Sequence, residues 1–273
     1  METDLNQLFN KAIKHEKMKQ WSDALTCYKS ILKENPSHFE SWLNLGAIYF
    51  QLKMNSKAIE CYNQSLKIRE DDRAYYNLGL IYYKSADYGL AIDQFLKSIQ
   101  RNPDFLQAYL MSGYSYIELN SMDHAVSILK DGLSRDVKSE SLLLCLAIAY
   151  YTGKNLKMAS AVLGELLQYN ENNLTALKMK AMISIEGNVN RDSVESYRSL
   201  LIKDNVIFEI ESMINEPKNR MVHDKIMSVK NELIRKKIKT NQDYLDLSLI
   251  SIFLGNGNAA MNYLLYSIKN NET

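Results

Sequence analysis

Small and large apolar positions alternate along this chain with a beat of 33 or 34 residues. Small residues recur at Ala12, Gly46, Gly79, Gly113, Ala147 and Ala181. A second small series follows at Ala24, Ala58, Ala91, Ala125 and Ala159, with Ser193 as a weaker sixth member. Large residues keep step behind it at Tyr28, Tyr62, Phe95, Leu129, Leu163 and Tyr197. In the clearest unit, Phe39 to Asp71, the spacing places Trp42, Leu45, Gly46 and Tyr49 on one face of a helix. Leu52 to Asn55 breaks the pattern, and Ala58, Tyr62 and Leu66 resume it on a returning helix. Gly46 is the expected point of close helix approach, because a larger side chain would hold the backbones apart. A single hairpin of this kind cannot offset its own ordering entropy, whereas a stack of hairpins can.

The run Trp42-Leu45-Gly46-Tyr49-Ala58-Tyr62, followed by Tyr75-Leu78-Gly79-Tyr82-Ala91-Phe95-Pro103, resembles the tetratricopeptide repeat. The same signature is good in the first unit (Ala12, Trp21, Ala24, Tyr28, Pro36) and holds in the fourth (Tyr109, Gly113, Tyr116, Ala125). It holds also in the fifth (Leu143, Leu146, Ala147, Tyr150, Ala159), and the sixth is degenerate at Lys180 and Ser184. It returns at Tyr244, Leu247, Ser248, Ala260 and Leu264, about two repeat lengths beyond Ser193. A worn hairpin is therefore expected from Asn205 to Thr240. Val206, Ile207, Ile210, Met213 and Ile214 would form its first helix, Pro217 its exit, and Met221 to about Lys239 its second helix.

The resemblance implies an all-α fold, a right-handed α-solenoid of about eight hairpins whose last two or three are degenerate. Six units are expected at 5–38, 39–71, 72–105, 106–139, 140–173 and 174–204, with a degenerate and a capping hairpin over 205–273.

In such arrays the first helices of successive hairpins line a concave groove. The positions that correspond here are Leu43, Ala47 and Phe50, then Tyr76, Leu80 and Tyr83, then Leu110, Tyr114 and Ile117, and finally Leu144, Ile148 and Tyr151. An apolar surface of that extent marks an interaction site if it is open. Alternatively it fills the inside of a tight superhelix or packs on the chain's own C-terminal helices. Asn44 and Asn77 occupy matching groove positions, where their amides could grip an extended peptide backbone or simply be solvated. Chaperone-binding members of the family clamp a C-terminal carboxylate with Lys, Asn and Arg side chains. Asn44 and Arg73 match that set, but Phe9, Ile13 and Asn77 stand where a lysine, an asparagine and a basic residue belong. No heat-shock-protein clamp is expected.

Composition changes this picture little. Only three prolines and ten glycines accompany 46% apolar residues, which suits a helical protein, and the 18 tyrosines suit helix–helix wedges or a binding wall. The net charge of +1 favours neither nucleic acid nor membrane overall. It is unevenly spread, however: Lys218 to Lys239 carries eight basic and two acidic residues, a local +6. Lys230, Arg235, Lys236, Lys237 and Lys239 form a candidate basic patch for an acidic partner, RNA or a membrane surface, or else the solvated face of a terminal hairpin. No aromatic residue is interleaved with these bases, so nucleic acid is not the expected partner.

The start, METDLNQLFNK, has no basic-then-apolar signal, and the longest apolar run, Leu142 to Tyr151, is far short of the roughly 20 residues that span a bilayer. A cytoplasmic location is expected. Cys27 and Cys61 are equivalent sites in adjacent units, roughly 10 Å apart at helix-packing distance and too far for a disulfide. With Cys145, they are read as structural thiols.

Catalytic patterns do not appear. His15, His38, His124 and His223 are dispersed, no metal-ligand spacing is present, and Gly255-Asn256-Gly257 reads as a turn rather than a phosphate loop. His15 replaces a tyrosine of the other units and is read as a packing residue. The expected protein is thus not an enzyme, needs no cofactor, and is a scaffold or adaptor that holds a peptide or helix of another protein. The alternative is a regulatory or nucleic-acid-associated protein acting through the basic hairpin. Self-association through the final helix, with Leu264, Leu265 and Ile268, is a further expectation.

Overall fold

The computed structural model describes residues 2–173, 220–237 and 239–254, with positions 175–177, 179–180, 183, 259 and 263. Among the described residues every regular element is a helix. In chain order these are α1 (Glu2–Lys17), α2 (Trp21–Glu34), α3 (Phe39–Gln51), α4 (Asn55–Ile68), α5 (Asp72–Lys84) and α6 (Tyr88–Arg101). They continue as α7 (Leu106–Glu118), α8 (Met122–Leu133), α9 (Glu140–Thr152), α10 (Leu156–Tyr169), α11 (Arg220–Arg235) and α12 (Asn241–Phe253). The chain divides into two compact units, Met1–Ala149 and Tyr150–Thr273.

In the first unit α1/α2, α3/α4, α5/α6 and α7/α8 pack as hairpins, and α2, α4 and α6 each pack on the first helix of the next hairpin. Small residues make this possible. Ala12, Ala24, Ala58, Ala91 and Ala125 are all fully buried at helix contacts. The glycines act differently from the sequence expectation. What crowds Gly46, Gly79 and Gly113 is a side chain of the returning helix, not its backbone. Built Cβ atoms there would lie 2.7 Å from the Tyr62 ring, 2.5 Å from the Phe95 ring and 2.6 Å from Leu129. Each glycine is thus the socket for the large residue that recurs in the same hairpin.

The turn inside each hairpin has one geometry. Lys19, Lys53, Ala86, Asn120 and Lys154 all adopt positive φ, between 56° and 61°. In each case the next amide closes back onto the first helix, as Met54 N–H does on the Tyr49 carbonyl at 2.8 Å and Asp87 N–H on that of Tyr82 at 2.9 Å. This left-handed residue satisfies the helix-end carbonyls that would otherwise be orphaned.

Loops between hairpins also repeat. The side chains of Asn35, Asn102, Asp136 and Asn170 each accept a hydrogen bond from the amide two residues on, at 3.1–3.2 Å. The junction after α4 departs from this. Arg69 is extended there, with its guanidinium 3.9 Å from the Phe39 ring centroid and near both Glu40 and Asp71. That junction is one residue shorter, which is why the beat drops to 33 between Lys53 and Ala86. Asp71 then caps α5 by accepting from the amides of Arg73 and Ala74.

In the second unit α11 and α12 pack together. Asp243 joins them: its carboxylate accepts from Lys236 Nζ at 2.8 Å and from both the amide and hydroxyl of Thr240. In return Thr240 Oγ1 accepts from the Asp243 amide, a reciprocal cap at the start of α12. Leu247 and Ile250 are buried on α12.

The basic helix ends at Arg235 rather than near Lys239. The Lys239 ammonium folds back to the carbonyls of Ile234 and Lys236, at 2.8 and 2.7 Å, and satisfies the helix end. Val206, Ile207, Ile210, Met213, Ile214 and Pro217 of the expected worn hairpin lie outside the described residues, as do Ser193, Tyr197, the 255–257 turn, Ala260, Leu264, Leu265 and Ile268.

Candidate functional site

Helix α5 touches both α3 and α7, so the expected groove positions of these three helices stand on neighbouring elements. Ala47, Phe50, Tyr76, Leu80, Tyr83, Leu110, Tyr114, Ile117, Leu144 and Ile148 are all half-buried. Leu43 differs: at 5% exposure it belongs to the core and presents little surface to a partner.

The aromatic members are fixed by their neighbours. Tyr76 packs against Phe95 (centroids 5.6 Å apart) and Phe105 (4.8 Å), and Tyr83 meets Tyr88 edge-on at 5.5 Å. Lys84 stands over the Phe50 ring at 4.5 Å. Burial raises the Tyr83 phenol, aided by Glu118, Tyr88 and Cys145, and burial raises Tyr114, aided by Cys145 and Tyr83. Tyr83, Tyr114 and Cys145 stand on three successive first helices, near enough for each charge to be felt by the next. Cys145 is fully buried, its thiol pushed up to about 12 by burial. Burial likewise pushes the Cys61 thiol up to about 12, and Cys27, Cys61 and Cys145 are all free and buried.

The polar members are partly engaged. Asn44 donates from its amide to the Tyr28 hydroxyl at 3.0 Å, and that hydroxyl donates to Glu16 at 2.9 Å. Burial raises the Tyr28 phenol, which Asn44 opposes and Glu16 reinforces. Asn77 is half-buried on the adjacent helix. Arg73 makes a two-point pair with Asp71, at 3.2 Å from Nε and 3.1 Å from Nη2. That pair partly neutralises the guanidinium and leaves its Nη1 edge for any further acceptor. Phe9 meets Tyr28 edge-on and His38 at a tilt, and offers no charge.

Tyr151 belongs to the second unit and is half-buried, with Lys154 Nζ 5.9 Å from its ring. In the basic patch, Arg235, Lys236 and Lys237 are exposed and Lys230 and Lys239 half-buried. Lys236 and Lys239 are spent on the Asp243 pair and the helix end. His15 is more than a packing residue, since its Nδ1 lies 2.6 Å from Gln20 Oε1 across the hairpin turn. Among the described residues no His, Cys, Asp and Glu group is arranged to hold a metal, and no helix is long and apolar enough to cross a membrane.

Repeating two-helix units, socketed in this way and stacked second helix on first, define an α-solenoid of the helical-repeat class. Family models described as tetratricopeptide repeat match residues 39–72, 73–105 and 106–136. Residues 39–136 of this chain thus carry tetratricopeptide repeats.

Among curated proteins, the BBSome complex member BBS4 of Bos taurus is 28% identical over 121 residues, which is 44% of this chain and 23% of that protein. The chain thus spans under a quarter of that relative's length. Among solved structures, the C-terminal part of a TPR repeat-containing protein from Cytophaga hutchinsonii covers 94% of this chain and 99% of its own, with a TM-score of 0.68 at 13% identity. YrrB, described as a TPR protein with an unusual peptide-binding site, has a TM-score of 0.55 at 19% identity, covering 63% of this chain and 90% of its own.

The sequence alone did not point to the clamps on the groove positions, Phe105 on Tyr76 and Lys84 over Phe50. Each joins side chains from separate parts of the chain, Phe105 from the loop before α7 and Lys84 from the helix after Phe50's hairpin, so no spacing within one helix carries a signal for it.

Proposed function

We propose that this chain is a non-enzymatic scaffold that holds a peptide or helix of another protein along Phe50, Tyr76, Leu80, Tyr83, Leu110, Tyr114 and Ile117, and so assembles or regulates a larger complex. The observation that carries this reading is the run of half-buried apolar and aromatic side chains, Phe50, Tyr76, Leu80, Tyr83, Leu110, Tyr114 and Ile117, on three successive first helices. Rings held in place by neighbours lose little entropy when a partner covers them, so their burial is returned as affinity. The tetratricopeptide fold, typically a protein-interaction scaffold, supports the class of activity. BBS4 is named as a member of a complex and YrrB as peptide-binding, and both support the finer reading. Asn44 and Asn77 would supply backbone hydrogen bonds, Asn44 through the part of its amide that Tyr28 does not use. The proposed location is the cytoplasm.

Affinity capture with the native chain and with the Tyr83→Ala/Tyr114→Ala variant tests the groove. The double variant is expected to lose the principal captured protein while its far-ultraviolet circular dichroism stays that of the native chain. Undiminished capture by a folded double variant would overturn the reading.

A further inference from the structure

The face of α3 that carries Trp42, Leu45 and Tyr49 does not belong to the groove. It forms the floor of a separate notch, closed on one side by α2 and on the other by α4, with a volume of about 420 Å³. Three lysines stand around it: Lys29 and Lys33 from α2 and Lys57 from α4. Lys29 Nζ and Lys57 Nζ approach the same Tyr49 ring from two different helices, at 5.9 and 5.6 Å from its centroid. Glu60 is the one carboxylate in the lining, and among the described residues no carboxylate is within ion-pair distance of Lys29, Lys33 or Lys57. The lining therefore carries a net +2.

The repeat supplies an internal control. The equivalent positions in the next notch hold Asn63 for Lys29, Lys67 for Lys33, Leu90 for Lys57 and Asp93 for Glu60. Its backbone geometry is built by the same hairpin pattern, yet its charges cancel. Packing therefore does not require the lysine triad. Like charges gathered on one ring are mutually repulsive, and a solvated helix face keeps such groups apart. An anion seated between them removes that repulsion, while half-buried Trp42, above a base closed by buried Leu45 and Tyr49, offers apolar surface to a bulky side chain. The Trp42 indole is held in place by donation to the Pro36 carbonyl at 2.8 Å, so the floor is pre-formed.

From these features we infer that the notch between the first two hairpins is a second binding site, for an acidic segment of a partner protein that presents one bulky apolar side chain between carboxylates. A recess of this size admits a single side chain and the backbone beside it, which a flat lipid surface cannot offer. Opposite charge steers the segment and the apolar floor discriminates among segments. The site lies on a different face of α3 from Phe50 and the groove, so it can be occupied together with it.

The test uses the full chain and a short fluorescent peptide of glutamates around one central phenylalanine, read by anisotropy. Binding is expected to weaken about tenfold or more in Lys29→Glu/Lys57→Glu. It should fall as salt is raised and remain intact in Lys29→Arg/Lys57→Arg and in the groove variant Tyr83→Ala/Tyr114→Ala. If the charge-reversed chain loses helicity, Lys29→Gln/Lys57→Gln replaces it, with the same direction expected. The proposal is overturned by absence of binding to the native chain, by equal binding of a lysine-flanked peptide, or by equal affinity in the folded charge variants. Loss in the groove variant instead, or preference for phosphatidylserine vesicles over the peptide, overturns it as well.

Discussion

The ring of Phe95 fills the space that a side chain on Gly79 would need: three ring carbons lie 2.5–2.9 Å from where its Cβ would stand. Two residues sixteen positions apart thus form a ball and socket that sets how closely α5 and α6 approach. Gly79→Ala forces the ring or the helix to move, and overpacking of that kind costs about 1–3 kcal/mol. A lowered urea midpoint with unchanged helicity is expected. An unchanged midpoint would mean that the ring yields without cost.

Tyr62 is 0% exposed and its hydroxyl has no hydrogen-bond partner among the described residues. Burial raises its phenol above the ordinary range, with Cys61 and Glu16 adding to the effect. The next hairpin carries Phe95 at the same place. Tyr62→Phe should therefore stabilise the chain by about 1 kcal/mol, by removing an unsatisfied buried group. Tyr28→Phe should do the opposite, since that hydroxyl bonds both Glu16 and Asn44. Thermal midpoints of the two variants, moving in opposite directions, check the pair.

Ala86 has φ of 61°, in the left-handed region that disfavours any residue with a Cβ. It is exposed, so its methyl group contributes little packing. Ala86→Gly is expected to raise stability by about 0.5–1 kcal/mol. Calorimetry should show a higher midpoint for this variant and a lower one for Ala86→Val, whose branched side chain fits the turn worst.

Asp243 is 3% exposed. Burial opposes its ionisation, but the Lys236 and Thr240 hydrogen bonds and the Lys236 charge outweigh that and hold its carboxyl at about 2. Its folded value lies below the ordinary value of about 4. The stabilisation is therefore complete above pH of about 4 and is lost as pH falls through about 2. Asp243→Asn should lower stability at neutral pH, with the difference from the native chain shrinking below pH of about 4. Paired denaturation curves at neutral and acid pH test this. A difference that is constant with pH would exclude the ionised carboxylate as its source.

The hairpins were legible from Gly46, Ala58 and Tyr62 because small and large residues on one helix must face each other at fixed spacing. Their partners were less so. The expectation at Gly46 was a backbone, and the occupant is the Tyr62 ring. The left-handed turn leaves no mark in the sequence, because Lys53, Ala86 and Asn120 share a backbone conformation but no side-chain chemistry. Register puts all the expected groove positions on equivalent faces, yet Leu43 is buried while its neighbours are half-open. That outcome depends on how adjacent hairpins close over it.

By itself, then, the chain's order of residues determined the helical hairpin, its period and the stacking of one unit on the next, since those follow from contacts local to one repeat. Tertiary structure alone decided which side chains converge from different helices. Tyr83 with Tyr114, Lys84 over Phe50, and Lys29 with Lys57 on the Tyr49 ring are each set by the distance and rotation between helices. Those quantities arise from the packing of side chains across elements, and no single helix face encodes them.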